Sequence, residues 1–183
     1  MGANQTPVQF RSSAPIRKTL RASGFLMSSF RRSSRQLNIM AHLISFKVQG
    51  DPVGKGRPRI TTRGNMVRSY TPEKTRDYEC LVADIAHREM MNAGLLPTYD
   101  AVRVEFEFYF AIPKSYSKKK HQQCVEDEIK PMIKPDIDNA IKACLDAMNK
   151  TVYIDDKQVV ECLASKHYTE DDEGFVKVAV YVL

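Results

Sequence analysis

One stretch of this chain constrains its fold more than any other. Between residues 102 and 112, Val102, Val104, Phe106, Phe108, Phe110 and Ile112 alternate with Arg103, Glu105 and Glu107. Successive side chains of a strand point to opposite faces, so six apolar groups share one side and the charges take the other. Other segments repeat the pattern more briefly. Ile44, Phe46 and Val48 alternate with polar residues, strands are expected over roughly 158–167 and 175–182, and Val176, Val178, Val180 and Val182 alternate in the last. Two helices separate these strands. Thr71-Pro72-Glu73 offers an N-cap hydroxyl, a proline for the first helical position and an acid for the positive end of the dipole. The stripe Tyr78, Leu81, Val82, Ile85 and Ala86 follows, and Gly94 stops it. A second helix starts near 136–138 and runs to about Asn149, with Ile137, Ile141, Cys144, Leu145 and Met148 on one face. Residues 51–71 read as a long loop or irregular hairpin, and 113–135 as a long polar loop. The order predicts an α+β fold: a two-layer sandwich, with a mixed β-sheet and two helices on one face.

The 183 residues are 43% hydrophobic and suffice for one core. The net charge of +6 is unevenly placed. Residues 1–50 hold eight basic residues and no acid, while 51–183 hold 20 basic residues against all 22 acids. The basicity therefore belongs to the first segment. Residues 1–40 are rich in Ser and Arg, lack a sustained apolar period, and read as a disordered basic tail. Three readings stay open for it: an organelle transit peptide, an arm that touches nucleic acid, or a stretch upstream of a true start at Met40. The domain is expected over 41–183. No run reaches the ~18 apolar residues of a membrane span, which predicts a soluble chain. Cys80, Cys124, Cys144 and Cys162 lack metal-ligand spacing and read as reduced structural thiols of an intracellular protein.

The chemistry is concentrated between 134 and 157. Asp136 and Asp138 are two apart at a helix start, Lys142 lies one turn beyond, and Asp155-Asp156 falls in the turn before the next strand. If that strand returns beside the helix start, three carboxylates converge. Close carboxylates repel, and a hard cation with oxygen ligands relieves the repulsion. Mg2+ suits such a site because it keeps several waters and needs few carboxylates. Each residue also has a plain reading. Asp138 can serve as an N-cap and Asp136 as a dipole partner. Lys142 and Asp146 can be a solvated ion pair, and Asp155-Asp156 an ordinary turn. The residues by themselves leave both readings open.

The string Lys134-Pro-Asp-Ile-Asp-Asn-Ala-Ile-Lys-Ala-Cys-Leu-Asp-Ala-Met-Asn149, followed by Tyr153-Ile-Asp-Asp-Lys-Gln-Val-Val160, resembles the signature of the RusA family of Holliday-junction resolvases. That pattern is D-x-D-N-x-x-K-x-x-x-D-A-L and then D-D-x-Q-V, with Met148 here in place of Leu. Gly54-Lys-Gly-Arg-Pro-Arg59 and Tyr70-Thr-Pro-Glu-Lys-Thr-Arg-Asp-Tyr78 resemble the branch common in phages and prophages. The resemblance spans about 43–183. It implies a dimeric, Mg2+-dependent endodeoxyribonuclease, with Mn2+ as a substitute ion, that nicks branched DNA in recombination and repair. It assigns Asp136, Asp138 and Asp156 as catalytic and metal-binding, Lys142 as the essential lysine, and Asp155 as the other acid of the D-D pair. The slightly shorter spacer before that pair leaves open which of the two reaches the metal.

An acidic site repels DNA, so basic residues must supply the grip. Residues 55–76 offer Lys55, Arg57, Arg59, Arg63, Arg68, Lys74 and Arg76 against one acid, and Lys118, Lys119 and Lys120 form a second cluster beside Lys114. Gly54 and Gly56 would permit close backbone approach. Two paired cuts need two acidic clusters, hence a homodimer, with the strands near 102–112 and 175–182 as interface candidates. Two alternatives remain. Pro135-Asp136 with Asp155 and Lys157 matches the PD-(D/E)xK nuclease pattern, and a non-catalytic nucleic-acid-binding protein could retain the fold. Removal of residues 1–39 is expected to leave a folded, active chain. Circular dichroism, thermal melting and a nicking assay check this, and an insoluble product would place the segment within the domain.

Overall fold

The computed structural model describes residues 41–57, 59–63 and 66–183. The basic tail of residues 1–40 lies outside the described residues. In chain order the elements are β1 (Ala41–Gln49), β2 (Arg59–Arg63), β3 (Met66–Tyr70), α1 (Glu73–Asn92), β4 (Val102–Ala111), α2 (Lys118–Val125), α3 (Ile137–Met148), a one-turn 3-10 helix (Asp156–Gln158), β5 (Val159–Thr169) and β6 (Phe175–Val182). Four strands make one mixed sheet in the order β1-β6-β4-β5. β6 is antiparallel to both β1 and β4, and β4 runs parallel to β5. β2 and β3 form a separate antiparallel hairpin, as the irregular-hairpin reading of 51–71 anticipates.

The row from Val102 to Ile112 is buried throughout, with Val102, Val104 and Phe108 fully enclosed. Ile44, Phe46 and Val48 of β1 and Val176, Val178 and Val180 of β6 extend the same face. The opposite face carries polar ladders. Arg103 pairs with Glu105 at 2.6 Å, Lys177 with Glu107 at 3.5 Å, and Tyr109 stacks on Phe175 with centroids 4.4 Å apart. One wet face and one helix-covered face are what the alternation requires.

The helices pack with a small rotation from the expected stripes. α1 buries Thr75, Tyr78, Val82, Ala86 and Met90, while Leu81 is exposed. α3 buries Ala140, Ala143, Cys144, Ala147 and Met148, and Ile137 faces outward. The buried side of α3 is therefore mostly alanine. Short side chains let it lie close to α1, which it contacts directly, and bulkier residues are left for the flanks. Tyr78 and Cys144 meet across this contact, hydroxyl to sulfur at 3.9 Å, and burial pushes the Cys144 thiol up to about 12. All four cysteines are free, with Cys124 and Cys144 buried.

Three expectations change. Pro72, not Thr71, occupies the N-cap of α1 and no side chain caps that end. The hydroxyl of Thr75 instead accepts the Gly56 amide at 3.2 Å. Gly94 does close the helix, with φ of 66° and bonds from Gly94 N to Met91 O and from Leu95 N to Met90 O. Secondly, the loop expected over 113–135 contains α2, whose Ser117 hydroxyl accepts from Lys120 N at 3.4 Å. Only Cys124 of its eight residues is buried, so no apolar period announces it. Thirdly, β4 and β6 are interior strands. Their hydrogen-bonding edges are occupied, which removes them as edge-to-edge interface candidates. Among the described residues the open edges are β1 and β5, and β5 leaves Val160 and Leu163 exposed.

Candidate active site

Asp136 and Asp138 stand at the start of α3, both exposed. Asp136 holds the N-cap position in extended geometry (φ −63°, ψ 146°), and its carbonyl accepts the first helical bond from Ala140 N at 3.0 Å. Its carboxylate caps nothing, and neither it nor Asp138 forms a hydrogen bond or ion pair within the described residues. The N-cap explanation thus covers the main chain of Asp136 but not its side chain. The positive end of the α3 dipole favours both charges.

The segment carrying Asp136 is held by a residue that the sequence reading passed over. Lys166 of β5 donates to the carbonyls of Ile133 and of Pro135, the latter at 3.0 Å, and lies over the Phe110 ring. Burial lowers its pKa, and the nearby Asp136 charge opposes that shift. Strand phase carries the signal. Ala164, Lys166 and Tyr168 pair with Phe106, Phe108 and Phe110 on the helix-covered side, an unusual place for a lysine unless it reaches a carbonyl.

Two concavities meet at Asp136. One of about 680 Å3 lies between residues 51–56, the start of α1 and residues 133–139. The other, about 630 Å3, lies between residues 130–138 and β5. Ile133, Lys134 and Asp136 border both. Lys74 and Lys134 line the first, and Lys130 and Lys166 the second.

Gly54 and Gly56 do permit close approach, but to the chain's own helices. A Cβ on Gly54 would lie 2.8 Å from Pro135 Cβ and 3.2 Å from Asn139 Cβ, and one on Gly56 would lie 2.8 Å from the Thr75 hydroxyl. Between them Lys55 N donates to Asn139 O at 2.8 Å. Its ammonium sits between Glu79 at 2.6 Å and Asp146 at 2.8 Å, so its charge is already matched inside the protein. Partial burial opposes the charged form, but the bonds to Asp146 and Glu79 outweigh it and raise the Lys55 pKa. Lys142 pairs with Asp146 at 3.3 Å and, among the described residues, makes no hydrogen bond or ion pair with Asp138. Arg57, Lys118 and Lys119 are exposed, and Lys120 lies over the Tyr116 ring at 3.6 Å. Arg59, Arg63 and Arg68 belong to the β2–β3 hairpin, and their side chains lie outside the described residues.

The two acids of the D-D pair differ in their surroundings. Asp155 caps the 3-10 turn, accepting from Lys157 N at 3.1 Å while Gln158 Oε1 accepts from Asp155 N at 2.9 Å. The Lys157 amide, with the Lys157 ammonium 3.3 Å away, holds the Asp155 carboxyl below the usual carboxylate range. Asp155 and Lys157, the pair used by the alternative nuclease motif, are thus bound to each other. Asp156 is exposed in the same turn. Gln158 also donates to Thr98 O and Asp100 O, each at 2.9 Å, which ties the turn to the segment before β4.

Asp136 and Asp138 fit a hard divalent ion in kind: oxygen donors, exposed and free of protein partners. Asp155 differs from them in being engaged by the amide and the ammonium of Lys157. Asp156 stands ahead of β5, whereas Asp136 lies beside Lys166, seven residues into that strand. Among the described residues no three His, Cys, Asp or Glu side chains are gathered as a metal cage.

The model of the family described as Endodeoxyribonuclease RusA matches residues 49–181. A protein of Bacillus subtilis (strain 168), named uncharacterized protein YqaN, is 38% identical over 133 residues, covering 70% of this chain and 89% of that one. Among the described residues no helix is long and apolar enough to cross a membrane.

Gln158→Ala is expected to cost about 1 kcal/mol, because it deletes the bonds to the Asp155 amide and to the carbonyls of Thr98 and Asp100, of which Thr98 keeps the Ile154 amide. At ~2–4 °C per kcal/mol for a chain of this size, thermal unfolding resolves the loss. An unchanged melting temperature would show that the turn holds without it.

Proposed function

The chain belongs to the RusA family of endodeoxyribonucleases, and from that premise we propose that it is a Mg2+-dependent, structure-selective enzyme that resolves four-way DNA junctions by paired symmetric nicks in recombination and repair. The observation that carries this reading is the pair of exposed carboxylates without hydrogen bonds or salt bridges among the described residues, Asp136 bordering two lysine-lined concavities and Asp138 one of them. A mere binding protein gains nothing from two free acids beside a DNA path.

Asp136 and Asp138 would hold the ion together with several waters, whereas Asp156, which the resemblance also assigns to it, stands ahead of β5 and apart from that pair. Bound Mg2+ supplies polarisation of the scissile phosphate and a lower pKa for the attacking water, and Mn2+ can substitute in that role. Lys142, exposed one turn beyond Asp138, stabilises negative charge on the pentacovalent phosphorus or the leaving oxygen. Lys74 and Lys134 contact phosphates without reading sequence, whereas Lys130 on the other side is already paired with Asp127. Arg57, the hairpin residues Arg59, Arg63 and Arg68, and Lys118 and Lys119 extend the grip. Such an enzyme works in solution within the cell.

A nicking assay on a synthetic four-way junction, with and without Mg2+, tests the reading. Cleavage should need the ion. Asp136→Asn and Asp138→Asn should drop it to background while junction affinity holds or rises, since a negative charge leaves the phosphate path. Lys142→Ala should lose rate more than affinity. Equal loss of binding and cutting in the aspartate variants would make these residues structural. Wild-type binding without any cleavage would leave a non-catalytic DNA-binding protein.

Two opposed cuts need two sites, so we propose a homodimer whose two-fold axis matches that of the junction. The open edge of β5, with Val160 and Leu163 exposed, is a better contact surface than the interior strands. Mixing wild-type chains with Asp138→Asn chains should give heterodimers that nick one strand and release no linear duplex. A sedimenting monomer that makes both cuts sinks the dimer.

A further inference from the structure

Four charged side chains form one connected line outside the carboxylate pair. Glu79 of α1 bonds Lys55 at 2.6 Å, Lys55 bonds Asp146 Oδ2 at 2.8 Å, and Lys142 lies 3.3 Å from Asp146 Oδ1. Glu79, Lys55 and Asp146 are only 20%, 25% and 25% exposed, whereas Lys142 is 60% exposed. The line thus runs from a largely buried anchor to an exposed lysine. We propose that Lys55 is a positioning residue for Lys142, acting through Asp146. This rests on the reading of Lys142 as the group that faces the scissile phosphate.

Several features separate this line from ordinary surface ion pairs, which contribute little. Lys55 is fixed at both ends. Its amide is bonded to Asn139 O, and its ammonium reaches Asp146, seven residues and two turns further along the same side of α3. Gly54, with no room for a Cβ against Pro135 and Asn139, sets the distance between this segment and the helix. Asp146 is then divided, one oxygen to each lysine. Lys55 engages one carboxylate oxygen and takes up part of its charge, so Asp146 restrains Lys142 without neutralising it. A flexible ammonium held loosely at one point stays available to a phosphate. One gripped by an undivided carboxylate does not. The same arrangement explains why Lys55, at the head of the basic segment, need not touch DNA: it sits between two acids of its own chain.

Limited acylation of the full-length protein with acetic anhydride, read by mass spectrometry at each lysine, tests the line without needing catalysis. In Lys55→Met, Asp146 turns wholly to Lys142, and acylation of Lys142 should slow about fivefold, within the coupling found in one salt-bridge network. In Asp146→Asn it should instead speed up by a similar factor. Opposite shifts support the proposal, and unchanged Lys142 reactivity in both variants overturns it. Glu79→Gln, which preserves shape, serves if Lys55→Met does not fold. It removes the acid that competes with Asp146 for Lys55, draws Lys55 onto Asp146 and should speed Lys142 acylation, opposite to Lys55→Met; an unchanged or slowed rate overturns the proposal. Under single turnover on a four-way junction, Lys55→Met should slow cleavage several-fold with affinity unchanged. A parallel fall in affinity would make Lys55 a phosphate contact and would equally overturn the proposal. If wild type cuts no junction, the nuclease reading fails while the acylation pattern still judges the network.

Discussion

Burial of one face of β4 governs the rest of the molecule. Six side chains from Val102 to Ile112 must be covered, and the chain covers them with α1 and α3 on a single side of the sheet. α3 can lie there only because its inner side is mostly alanine, and the close fit to α1 leaves its first turn projecting at the margin of the sheet. The charges at that first turn are exposed for the same reason that the alanines are buried. A bulkier inner face would lift the helix and move Asp136 away from Lys166, whose bonds to Ile133 and Pro135 fix the segment just before it. Core and site are two faces of one packing decision.

Around that margin, charged residues divide into those with partners inside the protein and those without. Asp155, Lys157, Lys55, Glu79 and Asp146 are matched and act as structure. Asp136, Asp138 and Asp156 project from turns and helix ends and, among the described residues, form no salt bridge. In a stretch so dense in ionisable groups, the free carboxylates are the ones available to an ion, while Lys142 is held at one point by Asp146.

The alternation in β4, β1 and β6, the α+β layering and the acid-rich start of α3 were legible because they are local: periods of two and 3.6, and a motif within one helix. The parts that were not legible depend on distance along the chain. Lys55 meets Glu79 and Asp146 across 24 and 91 positions, and a basic segment read in isolation looks like a DNA grip. α2 buries a single residue and shows no period. Leu81 and Ile137 fall near the edges of their stripes, where a rotation of one residue decides exposure. Which strand is an edge is a property of the sheet alone. Lys166 was the nearest miss, since the phase of β5 already placed it among inward residues.

The position of β6 has a consequence for how the molecule comes into being. It follows every other described element in the chain, yet in the sheet it lies between β1 and β4. Until it emerges, β1 has no strand to pair with, and β4 lacks its antiparallel neighbour. A chain still on the ribosome can hold helices and the β4–β5 pair, but not a closed sheet. Its pairings to β1 join residues more than 120 positions apart, the kind of distant closure that slows folding. Until β6 is made, the facing edges of β1 and β4 stay unpaired, and those open edges are the places most at risk of aggregation while the fold is being made.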